Sequence, residues 1–131
     1  MSKAPVSSLT GVYHADGSLL GELRYVAGTI FGGAHCSLCD ITHGRVREKP
    51  EWRRQRDSLP IPFIAVHLDE RSAAEVAASD GVTPCVLAHT ADGIELLLGP
   101  QPLDACHGDP AALVAAIDAA LAARDSDRVT A

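Results

Sequence analysis

The chain has few aromatic residues and no long apolar run. The first shortage limits the composition of its core, and the second excludes a membrane-spanning helix. Aromatic residues make up 4% of the 131 positions, so we predict a core of Ala, Val, Leu and Ile. No stretch approaches the roughly 18 consecutive apolar residues that a membrane-spanning helix needs. Residues 1–10 also lack the apolar segment of a signal peptide. We therefore expect a cytoplasmic protein with no membrane partner.

Common nucleotide-binding and hydrolase signatures are missing as well. The sequence has no GxGxxG, Walker loop, GxSxG or HExxH motif, which leaves dinucleotide, nucleotide, serine-hydrolase and zincin functions without support. A formal net charge of -6 argues against nucleic-acid binding, because phosphate contacts require an excess of Lys and Arg. The length fits one domain, 1–131, and we expect loose tails at 1–8 and 125–131.

Hydrophobic spacing predicts the element order β-α-(loop, short α)-β-α-β-β-α. Strands are predicted at 9–14, 63–68, 85–89 and 94–98, and helices at 19–31, 51–58, 73–79 and 110–124. The strand at 63–68 is expected to be parallel and buried, because its run is almost continuously apolar. Ser72 and Glu75 form a capping box, and Asp92-Gly93 is a hairpin turn. The predicted fold class is α/β, a mixed sheet of about four strands with helices on both faces.

Residues 60–123 resemble the thioredoxin superfamily. The resemblance rests on the strand at 63–68, the helix after it, the Gly-Val-Thr-Pro segment at 81–84, the hairpin and the C-terminal helix. It implies a thioredoxin-like fold in which the Thr83–Pro84 bond is cis and lies against the active site. The front half differs, because the family places Cys-x-x-Cys directly after its first strand, at the start of the first long helix. Here Asp16-Gly17 occupies that position, and Cys36 and Cys39 follow a predicted helix. The sequence is also similar to the DCC family of thiol-disulfide oxidoreductases.

The segment 34–44 contains several side chains that can bind a metal or take part in a reaction. It holds two thiols, two imidazoles and a carboxylate, which we expect to lie in one loop. Thiolates together with imidazole are suited to zinc, copper or iron. We therefore predict a transition-metal site formed by Cys36, Cys39 and His43, with His35 as a further ligand. The additional ligands considered are Asp40, Cys106 and His107, the last two in a loop at 99–108 that looks exposed.

Two other functions are compatible with the same segment. The first is thiol-disulfide exchange, in which Cys36 is the nucleophile and Cys39 is the resolving thiol. In the second, the cysteines pack as small hydrophobic residues and carry no chemistry. Cys85, in an apolar strand, fits this structural role best, although it follows Pro84 directly.

A basic segment follows the Cys/His segment and suggests a docking function. Positions 45–57 hold six basic and three acidic residues, a local charge of +3 in an acidic chain. Such a run either forms a solvated helix face or binds an acidic protein partner or a phosphate group. The arginines concerned are Arg45, Arg47, Arg53, Arg54 and Arg56.

Overall fold

A computed structural model describes residues 4–14, 37–42 and 49–130, and for Ser37, Asp40 and 125–130 it describes the backbone alone. The strands are β1 (Val6–Val12), β2 (Phe63–Val66), β3 (Cys85–Thr90) and β4 (Gly93–Leu98). The helices are α1 (Ser37–Thr42), α2 (Pro50–Asp57), α3 (Ala73–Ser79), α4 (Pro100–Asp104) and α5 (Pro110–Thr130), and a 3-10 turn spans Leu68–Glu70. Within these residues, no helix is both long enough and apolar enough to cross a membrane.

The four strands form one mixed sheet in the order β2-β1-β3-β4. β1 pairs in parallel with β2 and antiparallel with β3, and β3 pairs antiparallel with β4. The predicted α/β class with a four-stranded mixed sheet is therefore confirmed. β1 and β3 are the central strands, and each is held by a ladder on both sides.

Side chains divide the core into two clusters, one on each face of the sheet, because successive strand residues point to opposite sides. Leu9, Val86 and Leu98 belong to the larger cluster, which packs against α1, α2, α4 and α5. Val12, Cys85 and Leu87 belong to the smaller cluster, which packs against α3. Helices thus cover both faces, as the fold class predicts.

Local sequence signals place several elements correctly. Ser72 Oγ accepts from the Glu75 N–H at 3.2 Å, and Glu75 Oε1 accepts from the Ser72 N–H at 2.8 Å, so the predicted capping box starts α3. Pro50 occupies the first position of α2, as expected for a residue that lacks an N–H. Trp52 is buried and meets Phe63 edge to face at 5.1 Å, which ties α2 to β2.

Two predictions about strands are wrong. β2 is parallel as expected, but it lies at an edge of the sheet, where Ile64 is 60% exposed and Phe63 is its only buried residue. The run is apolar although β2 is hydrogen-bonded to a neighbour, β1, along one edge only and is not buried on both faces. β1 starts at Val6, within the predicted tail, because Val6 and Ser8 pair with the end of β3.

Three predictions about helices are also wrong. The loop expected at 99–108 contains α4, because Pro100 fits a first helical turn and Leu103 is buried beneath it. The last helix continues to Thr130, beyond the predicted end near Arg124. Residues 37–42, expected in a loop, form the helix α1. The helix predicted at 19–31 lies outside the described residues.

Candidate functional site

Cys39 is the one predicted site thiol of the 34–44 segment that lies within the described residues. It sits in the middle of α1, is 5% exposed and is disulfide-bonded. Three of its predicted companions, His35, Cys36 and His43, lie outside the described residues. For Asp40 only the helical backbone is described. Cys39 is therefore a buried sulfur that is already bonded to another sulfur.

The other two described cysteines are free thiols, and both are buried. Burial raises the pKa of Cys85 to about 11. Burial also raises the pKa of Cys106, with a smaller contribution from the negative charge of Asp109. Since the thiolate is the form that attacks disulfides and binds metals, neither thiol is activated. Cys85 thus has the structural role expected of it.

Cys106 differs from its prediction, because it is not exposed. It follows α4, and its Sγ donates to the Pro102 carbonyl at 3.4 Å. The neighbouring His107 is exposed and has a φ of +50°. Cys106 belongs to the same core cluster as Cys39, whereas Cys85 belongs to the cluster on the opposite face. Recruitment of Cys85 to a site that contains Cys39 is therefore disfavoured by the sheet between them.

One end of the sheet collects polar side chains around the Thr83–Pro84 bond. The parallel strands β1 and β2 both finish there, and Tyr13 N–H donates to the Val66 carbonyl at 2.9 Å. Val12 is paired with Cys85, so Pro84 at the start of β3 lies beside the end of β1. The Thr83–Pro84 bond is cis, as expected, and Pro84 is buried. His14 Nδ1 lies 2.8 Å from the Thr83 hydroxyl at the same end.

Helix α1 is attached to this end of the sheet. The hydroxyl groups of Tyr13 and Thr42 are 2.9 Å apart, and both side chains are buried. Thr42 follows Cys39 by three positions in α1, so the two share one face of the helix. The helix that carries the disulfide-bonded sulfur thus contacts the sheet beside the strand ends next to Pro84.

His67 also belongs to this group of polar side chains, because its ring contacts Tyr13. Its ring lies 5.1 Å from the Tyr13 ring at a tilt of 48°. Glu70 Oε1 accepts from His67 Nδ1 at 2.5 Å and from the His67 N–H at 2.7 Å. These hydrogen bonds lower the pKa of Glu70, the backbone contact contributing most. An ionised carboxylate only accepts hydrogen bonds, so Nδ1 is the donor and the ring orientation is fixed.

The predicted metal site includes residues beyond those described. Among residues 4–14, 37–42 and 49–130, no three His, Cys, Asp or Glu side chains form a group that could hold a metal ion. Binding of zinc, copper or iron by Cys36, Cys39, His43 and His35 stays a prediction, as do Asp40, Cys106 and His107 as further ligands. It requires Cys39 as a thiolate, which the disulfide-bonded form does not offer.

The described part of the basic segment is a solvent-facing helix. Arg53 and Arg54 of α2 are exposed, while Arg56 is half-buried with its Nε 3.7 Å from an Asp57 carboxylate oxygen. A pair at that distance on the surface contributes little stability. Arg45 and Arg47 lie outside the described residues. Docking of an acidic partner through this segment stays a prediction.

Sequence patterns did not identify Tyr13, Thr42 or His67 as site residues. Tyr13 and His67 each follow a strand directly, and the carboxyl ends of neighbouring parallel strands are a common place for binding sites. That position was the available signal, whereas the Tyr13–Thr42 contact joins residues 29 positions apart. No protein-family model, curated protein or solved structure matches this chain.

Proposed function

We propose that this protein carries out thiol-disulfide exchange through a Cys36–Cys39 pair on a thioredoxin-like scaffold. The observation that carries the proposal is the disulfide at Cys39. The sequence has four cysteines, and Cys85 and Cys106 are free thiols. Within one chain, Cys36 is the remaining cysteine that can pair with Cys39, at the spacing of a Cys-x-x-Cys motif.

The element that carries Cys39 supports the proposal. Cys39 lies in the helix α1, and thioredoxin-like proteins also place the cysteines of their motif on a helix. The departure from the family that the sequence suggested, the greater distance of the motif from β1, remains.

The arrangement of the second half supports a thioredoxin-like scaffold. β2, α3, the Thr83–Pro84 segment, the β3–β4 hairpin and α5 follow one another in the order that the resemblance implies. The resemblance also places the proline before the third strand against the active site. The Tyr13–Thr42 contact brings α1 to the end of the sheet where Pro84 lies.

Burial assigns different roles to the two sulfurs. Cys39 is 5% exposed, so a partner thiol has little access to it. In the proposed reaction a thiolate of a partner dithiol attacks Cys36, the Cys36–Cys39 bond breaks, and Cys39 leaves as a thiolate that takes up a proton. The partner's second thiolate then attacks the partner sulfur of the mixed disulfide and releases Cys36. The partner dithiol is oxidised to a disulfide, and the protein gains two electrons and two protons.

Glutathione exchange tests the proposal. The folded wild-type protein is placed in glutathione buffers of different redox poise, quenched with acid, alkylated and weighed by mass spectrometry. We expect reversible conversion between a disulfide and a dithiol. Cys39→Ser should accumulate a mixed disulfide at Cys36, whereas Cys36→Ser should react on the order of 100-fold more slowly, since the remaining thiol is buried.

The matched control is Cys106→Ala, which removes a buried free thiol from the same core cluster and should exchange like the wild type. A wild-type pair that resists reduction until the protein unfolds would contradict the proposal. Equal trapping by the Cys36→Ser and Cys39→Ser variants would contradict the assigned roles. Zinc titration of the reduced protein, with Cys36→Ser as control, tests the metal prediction separately.

A further inference from the structure

The hydroxyl groups of Tyr13 and Thr42 form a direct connection between the sheet and the helix that carries Cys39. The oxygens are 2.9 Å apart, Tyr13 is 3% exposed and Thr42 is fully buried. A hydrogen bond between two buried side chains is costly to break, because neither group regains water when the contact is lost. The contact therefore fixes α1 at Thr42 relative to β1.

Tyr13 is itself held from its other side. Its N–H donates to Val66 at the end of β2, and its ring packs on the His67 ring, which Glu70 orients through Nδ1. The ends of both parallel strands thus fix the position of the Tyr13 phenol, whose hydroxyl group contacts α1. A side chain fixed in this way can define the position of the helix that it contacts.

Cys39 and Thr42 belong to the same helix, and Cys39 lies about one turn before Thr42 on the same face. When a disulfide is reduced, its two bonded sulfurs must separate to a non-bonded contact. Because backbone hydrogen bonds join residues one turn apart in a helix, a displacement of Cys39 is transmitted to Thr42. The observed Tyr13–Thr42 geometry belongs to the disulfide form, since Cys39 is oxidised in the structure.

We infer that Tyr13 is a positioning residue for thiol-disulfide exchange, whose hydroxyl holds α1, through Thr42, in the place that favours the disulfide form. The inference rests on the function proposed above and adds a residue outside the Cys-x-x-Cys motif. Loss of the hydroxyl should therefore make the disulfide easier to reduce. A side chain that stabilised both redox forms equally would leave the reduction equilibrium unchanged.

The test compares three conservative variants in glutathione buffers. Tyr13→Phe and Thr42→Val each remove one of the two hydroxyl groups. Thr10→Val is the matched control, because Thr10 is also buried on β1 and lies 2.7 Å from His89 Nε2, but on the opposite face of the sheet. The ratio of dithiol to disulfide is measured by alkylation and mass spectrometry, and thermal unfolding is recorded for both redox forms of each variant.

We expect Tyr13→Phe and Thr42→Val to shift the equilibrium toward the dithiol by about threefold or more, or ~14 mV for a two-electron couple. Thr10→Val should lower the melting temperature of both forms and leave the equilibrium within about twofold of the wild type. If the wild type exchanges but Tyr13→Phe and Thr42→Val behave like Thr10→Val, the positioning role is wrong and the proposed function stands. If the wild-type pair does not exchange with glutathione, both are wrong.

Discussion

Cys39 and Cys85 lie on opposite faces of one sheet, and both are almost completely buried. Cys39 belongs to the helix α1 and is disulfide-bonded, whereas Cys85 begins β3 and is a free thiol. β3 is bonded to β1 and to β4, so Cys85 belongs to a strand that two ladders hold. α1 is held instead by the side-chain contacts of Leu38, Ile41 and Thr42. Burial alone therefore does not distinguish the disulfide-bonded cysteine from the free one, whereas the kind of element that carries each of them differs.

The largest effect that we expect is the pH dependence that Cys85 gives to the free energy of unfolding. In the folded state burial raises the pKa of Cys85 to about 11, while an unfolded thiol ionises near pH 8.5. The unfolded state loses its proton first, so this group's stabilising effect is complete below about pH 8.5 and is lost as pH rises toward 11. The expected loss is about 3 kcal/mol in total. Urea denaturation between about pH 8 and 11 measures it.

Cys85→Ala isolates that contribution. The variant should be less stable than the wild type near pH 8, because a buried sulfur is lost, and its free energy of unfolding should fall less steeply with pH. Parallel pH slopes for the two proteins would mean that Cys85 ionises normally. The contrast between a protonated, buried thiol on one face and a disulfide-bonded sulfur on the other would then fail.

A smaller effect is expected at Gly11, on the Cys39 face of the sheet. A Cβ at this position would lie 2.6 Å from Phe63 Cζ and 3.1 Å from Leu38 Cδ2, and Leu38 is the neighbour of Cys39 in α1. Gly11→Ala should therefore displace both side chains and cost about 1–3 kcal/mol in the free energy of unfolding. Urea denaturation of the oxidised protein checks the value.

Gly99→Ala is the control for this substitution. Among the described residues, and beyond the adjoining ones, no atom lies within 4 Å of the place that a Cβ would take at Gly99, where φ is -88°. Its cost should be below about 1 kcal/mol, since Ala is a slightly poorer residue than Gly before a helix. If Gly11→Ala were as mild as Gly99→Ala, α1 would pack on β1 more loosely than these contacts require.

Elements defined by neighbouring residues could be predicted from the sequence, and those defined by distant contacts could not. The capping box at Ser72 and Glu75 depends on residues close in sequence, and this prediction is confirmed. The β3–β4 hairpin also turns where predicted, but its two loop residues are Ala91 and Asp92, and Gly93 already pairs with Thr90 as the first residue of β4. The edge position of β2 depends on which strands pair, which its apolar run does not encode. Burial of Cys106 depends on α4, a helix in a segment that was predicted to be a loop.

The candidate site shows the same division. The Cys-x-x-Cys spacing is visible in the sequence, and so is a proline before β3. That residues 37–42 are helical is not visible, because an apolar stripe is recognised only over several turns. The partners of α1 come from the ends of β1 and β2. Tyr13 and His67 became site residues only because these strands are parallel neighbours.

Disulfide mapping of the oxidised protein tests the central claim most directly. After unfolding without reductant and alkylation, trypsin should release 25–45, which holds Cys36 and Cys39, and 72–124, which holds Cys85 and Cys106. We predict that 25–45 is unlabelled and two hydrogens lighter than its dithiol form, while 72–124 carries two labels. A labelled 25–45 peptide, or a disulfide linking it to 72–124, would contradict the proposed Cys36–Cys39 pair.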